Sequence, residues 1–158
     1  WNKHYKTLMD QVFVSIGSNI NPKENIAISK ELLNEHFDCT FSSNYETIAE
    51  GFKGNDFINC VAGFKTSLLP SELRKTLKQI EYSMGRTEIQ AGMANRVIDL
   101  DLILYGEKVI KQDNFDIPSN DIEKYLFILE PLSEIAGELF HPVSKVSFAE
   151  LLKQLKAD

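Results

Sequence analysis

The segment NRVIDLDLILYG, residues 95–106, constrains the fold of this chain more than any other stretch. It is rich in Ile, Leu and Val and contains no proline, so it predicts a β-strand. Because side chains alternate along a strand, its two acidic residues should share one face. That face comprises Val97, Asp99, Asp101, Ile103 and Tyr105. The opposite face is aliphatic, should pack against helices, and comprises Ile98, Leu100, Leu102 and Leu104.

Asp99 and Asp101 are the unusual feature of this strand. Their Cα atoms would lie about 6.5 Å apart, so both carboxylates can reach a common object. Two converging carboxylates repel each other, and a pKa should rise unless a cation joins them. Mg²⁺ relieves the repulsion, since it binds one or two carboxylates together with phosphate oxygens. A metal clamp on a phosphoryl chain is one interpretation, and a solvated acidic strand face is the other.

Two arginines flank the loop that leads into this strand. Arg86 begins the loop and Arg96 follows it. A guanidinium binds phosphate oxygens in pairs and offsets charge that develops during phosphoryl transfer. The arginines therefore favour the phosphate-binding interpretation of the acidic pair, but only modestly.

Length and composition indicate one ordinary globular domain. The chain has 158 residues without repeats or Pro/Gly-rich linkers, so we interpret residues 11–158 as a single domain and residues 1–10 as an extension or expression remnant. A net charge of −6 argues against broad nucleic-acid binding. No segment approaches the roughly 18 uninterrupted apolar residues of a membrane span. Cys39 and Cys60 are expected to be reduced and near a core, which favours a cytoplasmic protein.

Strand patterns alternate with helix patterns along the chain. Apolar and β-branched runs predict strands at 11–17, 40–48, 55–68 and 97–106, the last turning through GEK into a further strand at 108–110. Glycine-bearing loops are predicted at 49–56 and 86–95. This mixture, with a turn-linked pair of strands, predicts an α+β fold with a mixed or antiparallel sheet.

Helical spacing of apolar residues predicts four helices. They are expected within 25–37, 71–85, 123–137 and 147–156. The first should bury Ile28, Leu32, Leu33 and Phe37. The second should bury Leu73, Leu77, Ile80 and Met84 and stop at Gly85. The third should be broken by Pro131.

Five short motifs occur in one order along residues 11–155. They are Ile16-Gly17-Ser18-Asn19, Phe57-x-Asn59, Ile80-Glu81 through Gly85-Arg86, the RxxDLDxLxxG pattern of residues 96–106, and Pro118 followed by F-x-L-x-PL-x-EIA at 127–136. In this order and nearly at this spacing they resemble the 6-hydroxymethyl-7,8-dihydropterin pyrophosphokinases of the folate pathway.

The resemblance implies transfer of diphosphate from MgATP to the hydroxymethyl group of a reduced pterin, with release of AMP. It also implies a ferredoxin-like three-layer α/β/α sandwich with a mainly antiparallel sheet. The loops at 49–56 and 86–95 fall where the family has mobile lids, whose closure would exclude water from the reacting phosphoryl group.

Roles at the phosphate end come from matching positions. Asp99 and Asp101 would bind two Mg²⁺ ions and help orient the pterin hydroxymethyl oxygen. Arg86 and Arg96 would contact the ATP phosphates. Glu81 would lie near the nucleotide or brace Arg86.

Roles at the pterin end are implied in the same way. Asn59 would form hydrogen bonds with the pterin edge, and Phe57 and Phe127 would stack on the flat ring. Thr47 matches the threonine that opens the pterin-side loop. Gly17 and Asn19 would shape the end of the first strand, where only a small residue lets another backbone segment pass close.

The chain departs from the family at several cationic or aromatic positions. A second loop arginine is replaced by Glu88 and a tryptophan by Met93. Ser119-Asn120 stands where many members have His-Tyr, and Tyr125 replaces an arginine. We expect these changes to weaken ATP binding or slow lid closure while the chemistry remains, since charge-assisted contacts are worth roughly 1.5–3 kcal/mol each.

Three alternatives stay open. The chain could bind pterin or nucleotide without efficient turnover, with Glu88 marking lost use of ATP. It could be a nucleotide- or metal-binding structural domain, against which Asn59 between its stacking candidates argues. It could also be one domain of a multifunctional enzyme, because family members are often fused to dihydropteroate synthase or dihydroneopterin aldolase.

Overall fold

The computed structural model describes residues 8–47, 56–85, 97–112 and 114–157. One β-sheet lies between two pairs of helices. Helices α1 (Pro22–His36) and α2 (Pro70–Ser83) pack on one face, and α3 (Leu126–Ala136) and α4 (Phe148–Ala157) pack on the other. The predicted α+β class and the three-layer α/β/α sandwich are therefore confirmed.

The sheet is antiparallel throughout. Its strands are β1 (Asp10–Ser18), β2 (Thr40–Phe41), β3 (Tyr45–Thr47), β4 (Phe57–Thr66) and β5 (Asp99–Tyr105). They lie in the order β2-β4-β1-β5, and β3 pairs with β4 beside β2. The predicted strand at 40–48 is thus two short strands, and among the strands of the described residues β5 lies at an edge of the sheet.

Strict alternation on β1 separates two hydrophobic clusters. Val12, Val14 and Ile16 pack against α1 and α2, whereas Phe13 packs against α3 and α4. Ser15 and Gly17 follow Phe13 on the same face of β1, and they place only a hydroxyl group and a hydrogen atom there. The face that carries α3 and α4 is therefore apolar at one end of β1 and open to small and polar groups at the other.

An extra residue changes the alternation of β5. Leu102 lies opposite Val14 and Leu104 opposite Phe13, so Ile103 has no counterpart on β1. Such a bulge turns the remainder of a strand over. Leu104 therefore joins the α3–α4 cluster and Tyr105 joins the α1–α2 cluster, so the predicted faces of these two residues are wrong. The predicted faces of Asp99 through Leu102 agree with the register.

The predicted pair of strands on either side of GEK is also wrong. Strand β6 (Ile110–Gln112) pairs with β7 (Phe115–Ile117) in a separate two-stranded sheet, not with β5. Gln112 lies opposite Phe115, so only two residues connect these strands. One of them, Asn114, has a φ of 62°, which suits a tight hairpin connection.

Helices α1 and α2 follow their sequence patterns to different extents. In α2 the predicted core residues Leu73, Leu77 and Ile80 are buried, and the chain leaves the helix at Gly85, whose φ is +96°. In α1 the buried residues are Ile26, Ser29 and Leu33, while Ile28 is exposed. The prediction for Ile28 was wrong because the buried stripe runs through Ile26, Ser29 and Leu33, and Ile28 projects away from it.

Helix α3 continues through Pro131 without a break, contrary to the sequence-based expectation. Proline removes one backbone donor, the N–H that would bond to the carbonyl four residues earlier. Here that carbonyl belongs to Phe127, in the first turn, where little of the helix precedes the defect. The buried Pro131 ring packs with the apolar face of α3 instead of ending the helix.

The cysteines are unpaired, as predicted. Cys60 is buried in β4 and Cys39 is half-buried before β2. Burial raises the pKa of each thiol to about 11. None of the helices in the described part of the chain has the length and apolar character that crossing a membrane requires.

Candidate functional site

A row of paired residues crosses the sheet on the face that carries α3. Tyr45 lies opposite Asn59, Asn59 opposite Gly17, and Gly17 opposite Asp99. Residues opposite each other in a sheet project to the same side, and each strand spacing is about 4.8 Å. The row therefore brings a neutral amide and an acidic strand onto one surface, about 10 Å apart, with a glycine between them.

Gly17 leaves room for the amide of Asn59. A Cβ atom at residue 17 would lie 2.9 Å from Oδ1 of Asn59 and 3.9 Å from Cδ1 of Phe57. The first distance is shorter than van der Waals contact, so a larger residue would displace the amide. The sequence-based expectation that only a small residue fits at the end of β1 has here a specific atomic reason.

Two of the predicted pterin-side residues, Thr47 and Phe57, lie beside Asn59. Its Nδ2 donates a hydrogen bond to Oγ1 of Thr47 at 3.2 Å. Thr47 in turn lies opposite Phe57, which is half-buried at the start of β4. Phe127 lies in the first turn of α3, is 36% exposed, and stacks on Tyr125 with ring centroids 5.0 Å apart.

The acidic pair lies at the edge of the sheet. Asp99 is half-buried and Asp101 is exposed, and both line a cavity of about 320 Å³ bounded by β5, α2 and the segment from Asn114 to Asp121. The end of β1 is tied to the start of this region, because Oγ of Ser18 donates to the carbonyl of Val97 at 2.6 Å. The strand thus presents two carboxylates to an open polar cavity.

Glu81 supports the strand from the opposite face. Its side chain is only 7% exposed, and Oε2 accepts a hydrogen bond from the backbone N–H of Leu100 at 2.7 Å. An edge strand has one row of backbone groups that no neighbouring strand satisfies, and a buried carboxylate is a strong acceptor for such a group. Glu81 therefore holds the residue between Asp99 and Asp101, and it also lines the cavity.

The sequence analysis missed two cations that line the same cavity, Arg74 and Lys78. They lie on one face of α2 with Leu77 and Glu81, at spacings of three and four residues. The guanidinium of Arg74 lies 4.2 Å from the ring centroid of Phe115. The spacing in ELRKTLKQIE was visible, but its significance depended on knowing that Glu81 faces the acidic strand.

The donor set suits magnesium better than a transition metal. Within the described ranges, no group of three or more His, Cys, Asp or Glu side chains could hold a metal ion. Two carboxylates on one strand face, beside a cavity large enough for phosphates, are a typical set for Mg²⁺, which takes its remaining ligands from phosphate and water. Asp99 and Asp101 therefore fit the predicted ion.

Several predicted site residues lie outside the described residues. These are Arg86, Arg96, Glu88, Met93 and nearly all of the loops at 49–56 and 86–95. Of the other departures from the family pattern, Ser119 lines the cavity, and Asn120 donates to Oδ2 of Asp116 at 3.0 Å. Tyr125 forms the stacked pair with Phe127.

Comparison with protein families gives one match that spans most of the chain. Residues 13–137 match the model of 7,8-dihydro-6-hydroxymethylpterin-pyrophosphokinase (HPPK). The chain is 36% identical over 153 residues to the 2-amino-4-hydroxy-6-hydroxymethyldihydropteridine pyrophosphokinase of Haemophilus influenzae, covering 92% of this chain and 93% of that one. The Aquifex aeolicus enzyme of the same name is 33% identical, with coverage of 95% and 92%.

Other relatives are considerably longer than this chain. It is 37% identical to the folic acid synthesis protein FOL1 of Dictyostelium discoideum over 86% of its own length but 21% of that protein. Among solved structures, the wild-type HPPK-DHPS of Plasmodium falciparum with pteroate superimposes with a TM-score of 0.74 at 14% identity. The match covers 94% of this chain and 43% of the Plasmodium one, and it shows the shared fold.

Proposed function

Since the chain belongs to the 7,8-dihydro-6-hydroxymethylpterin-pyrophosphokinase family, we propose that the surface from Asn59 to Asp101 is where it transfers a diphosphate from ATP to 6-hydroxymethyl-7,8-dihydropterin. The products are AMP and the pterin diphosphate of folate synthesis. The pterin lies toward the β4 end of the sheet face and the nucleotide lies beyond the β5 edge, with the acidic strand between them.

The arrangement of Asn59, Gly17 and Asp99 in one row is the observation that carries this proposal. The missing side chain at Gly17 leaves room for the Asn59 amide, whose donor and acceptor match the polar edge of the pterin ring. Phe57 and Phe127 provide aromatic walls. A ring placed in this way directs its hydroxymethyl group toward Asp99 and Asp101.

The nucleotide occupies the cavity beside β5. Arg74 and Glu81 are seven residues apart on α2, about 10.5 Å along the helix axis, which is comparable to the distance from a base to its β-phosphate. Lys78 lies between them and contacts the phosphate or ribose. Arg86 and Arg96 retain the phosphate-binding roles that their motif positions imply.

Asp99 and Asp101 are the ligands for two magnesium ions. When bound, these ions neutralise phosphate charge and orient the phosphoryl chain. The protein's own part is to fix the carboxylates, which the bond from Leu100 to Glu81 and the pairing with β1 both do. The aliphatic residues on the other face of β5 anchor the strand in the core.

Two further predictions from the family resemblance also belong to this proposal. One is a cytoplasmic location, which agrees with two unpaired, buried or half-buried thiols. The other is fusion to another folate enzyme in a longer protein, as the names of several relatives describe for those proteins.

AMP release from MgATP, measured with and without 6-hydroxymethyl-7,8-dihydropterin, tests the proposed function. We expect AMP to form only when the pterin is present. Removal of magnesium with EDTA should stop AMP formation, and addition of magnesium should restore it. Pterin binding without AMP formation would favour the alternative of a relative that binds without turnover. A protein that neither binds the pterin nor forms AMP would overturn the proposal.

A further inference from the structure

Glu134 belongs to the PL-x-EIA motif, to which the sequence analysis assigned no role. It lies on α3, seven residues after Phe127. Seven residues are almost two full turns, so both side chains project from the same side of the helix, about 10.5 Å apart along its axis. The helix that carries the aromatic wall of the proposed pterin site therefore also carries this carboxylate.

The Glu134 carboxylate binds the segment that leads into and forms β3. The backbone N–H of Ser43 donates to Oε1 and Oε2, both at 3.0 Å, and the Ser43 hydroxyl donates to Oε2 at 3.1 Å. The Tyr45 hydroxyl donates to Oε1 at 2.7 Å. Three donors from two residues thus converge on one side chain from a distant part of the chain.

The segment that Glu134 holds is the one that positions the proposed pterin contact. Tyr45 lies opposite Asn59 on β4, and Thr47, two residues further along the same three-residue strand, accepts the hydrogen bond from the Asn59 amide. So short a strand has few other constraints. The Glu134 bonds therefore couple the Thr47–Asn59 pair on the sheet to Phe127 on the helix.

The ionisation states agree with this arrangement. The hydrogen bond from Tyr45 lowers the pKa of Glu134, and burial, assisted by Glu134, raises the pKa of Tyr45 to about 12. At neutral pH the carboxylate is therefore charged and the phenol keeps the proton that it donates. The bond is charge-assisted, which makes it stronger than a neutral pair.

We propose that Glu134 is a positioning residue for pterin recognition: it fixes β3 against α3, so that Thr47, Asn59 and Phe127 form one preorganised pocket before the pterin binds. Glu134 itself need not touch the substrate. This inference rests on the proposed function, and it predicts that the Glu134 bonds affect the pterin but not the nucleotide.

Steady-state kinetics of Glu134→Ala and Tyr45→Phe test this proposal. We expect Glu134→Ala to raise the KM for pterin about three- to tenfold, because the pocket walls must be ordered during binding. The KM for ATP and the kcat at saturating pterin should stay within a factor of about two. Glu134→Gln, whose single carbonyl oxygen can accept some of the bonds, should restore part of the pterin affinity. Tyr45→Phe should have a smaller effect, and should add almost nothing in the Glu134→Ala background.

Glu130→Gln is the matched control. Glu130 lies one turn earlier on α3; its charge contributes to the raised pKa of Tyr45, but its ion pair, at 3.4 Å, is with Lys156 of α4. The Glu130→Gln variant should leave both KM values unchanged.

An unaltered KM for pterin in Glu134→Ala, or equal increases in the KM values for pterin and ATP, would overturn the proposal. If Glu134→Ala fails to fold, the same two criteria apply to Tyr45→Phe, which keeps the ring. A wild-type protein without pterin-dependent AMP release would instead refute the proposed function.

Discussion

The two ends of the functional face are built differently. At the β4 end, Asn59 is 8% exposed, its amide donates to Thr47, and the absence of a side chain at Gly17 leaves space beside it. At the β5 end, Asp99 and Asp101 are half-buried or exposed on an edge strand and line an open cavity. One end is neutral and enclosed, while the other is charged and accessible.

This difference follows from what each end is proposed to bind. A flat ring with fixed donors and acceptors is recognised best by groups whose positions are set in advance. Metal ions and phosphates bring charge of their own, so carboxylates that bind them must be accessible to solvent and ligand. Substitutions at the β5 end should therefore cost turnover more than stability. Substitutions at the β4 end should cost pterin affinity and some stability.

The largest expected effect is at the acidic pair. Asp99→Ala or Asp101→Ala should lower kcat by about a thousandfold or more, because each removes a ligand for the ions that stabilise the transferring phosphoryl group. The thermal unfolding midpoint should change less than the turnover does, since Asp99 is half-buried and Asp101 is exposed. Asp38→Ala, an exposed acid before β2, is the control and should retain full activity. Near-normal turnover in either variant would contradict the metal assignment.

A smaller effect is expected at the enclosed end. Asn59→Ala should raise the KM for pterin about ten- to a hundredfold, because an unpaired polar edge of a bound ring costs roughly 1.5–3 kcal/mol. It should also lower the free energy of unfolding, since the partner of Thr47 is lost. Asn44→Ala, on the exposed connection before β3, provides the comparison. An increase in the KM for ATP of the same size would mean that the two ends are not separate.

A still smaller effect is expected at the cations of α2. Lys78→Ala should raise the KM for ATP about three- to tenfold, because it removes one charge near the phosphates or ribose. Lys75→Ala is the matched control, since this exposed lysine on the same helix does not line the cavity. Equal behaviour of the two variants would remove Lys78 from the nucleotide site.

The smallest effect belongs to a residue at neither end. Nδ1 of the buried His141 accepts the backbone N–H groups of Val143 and Ser144, at 3.1 and 3.3 Å, and its Nε2 lies 3.3 Å from Glu123. Burial lowers the pKa of His141 below its usual value of 6.5. The nearby charge of Lys111 lowers this pKa further, and Glu123 only partly opposes the shift. The unfolded chain therefore binds the proton more readily, and stability should fall as the pH drops below about 6.5.

Thermal unfolding between pH 5 and 8 measures this effect. Asp99→Ala and Asn59→Ala should show the same acid sensitivity as the wild type, since His141 lies in the connection between α3 and α4 and not on the strands that carry these two residues. His141→Asn, which keeps an acceptor without the titrating group, should flatten the profile. A profile that changes with Asp99→Ala but not with His141→Asn would show that the acid sensitivity of the stability arises near Asp99 and not at His141.

Local patterns predicted those parts of the molecule whose structure is decided locally. The β-branched run of β1, the apolar spacing of α2 and the shared face of Asp99 and Asp101 all depend on neighbours a few residues apart. The bulge at Ile103 and the continuation of α3 through Pro131 were not predicted, because each is set by packing against other elements. Glu134 was missed for the same reason, since its partners lie about 90 residues away in the sequence.

The raised pKa of both thiols makes this protein convenient for fluorescence spectroscopy. At neutral pH Cys39 and Cys60 carry almost no thiolate, the form that reacts with maleimides. A single cysteine introduced at the exposed position 46, beside Thr47, would therefore take up a dye selectively without removal of the native cysteines. The emission of that dye would report directly on how β3 responds as each substrate arrives.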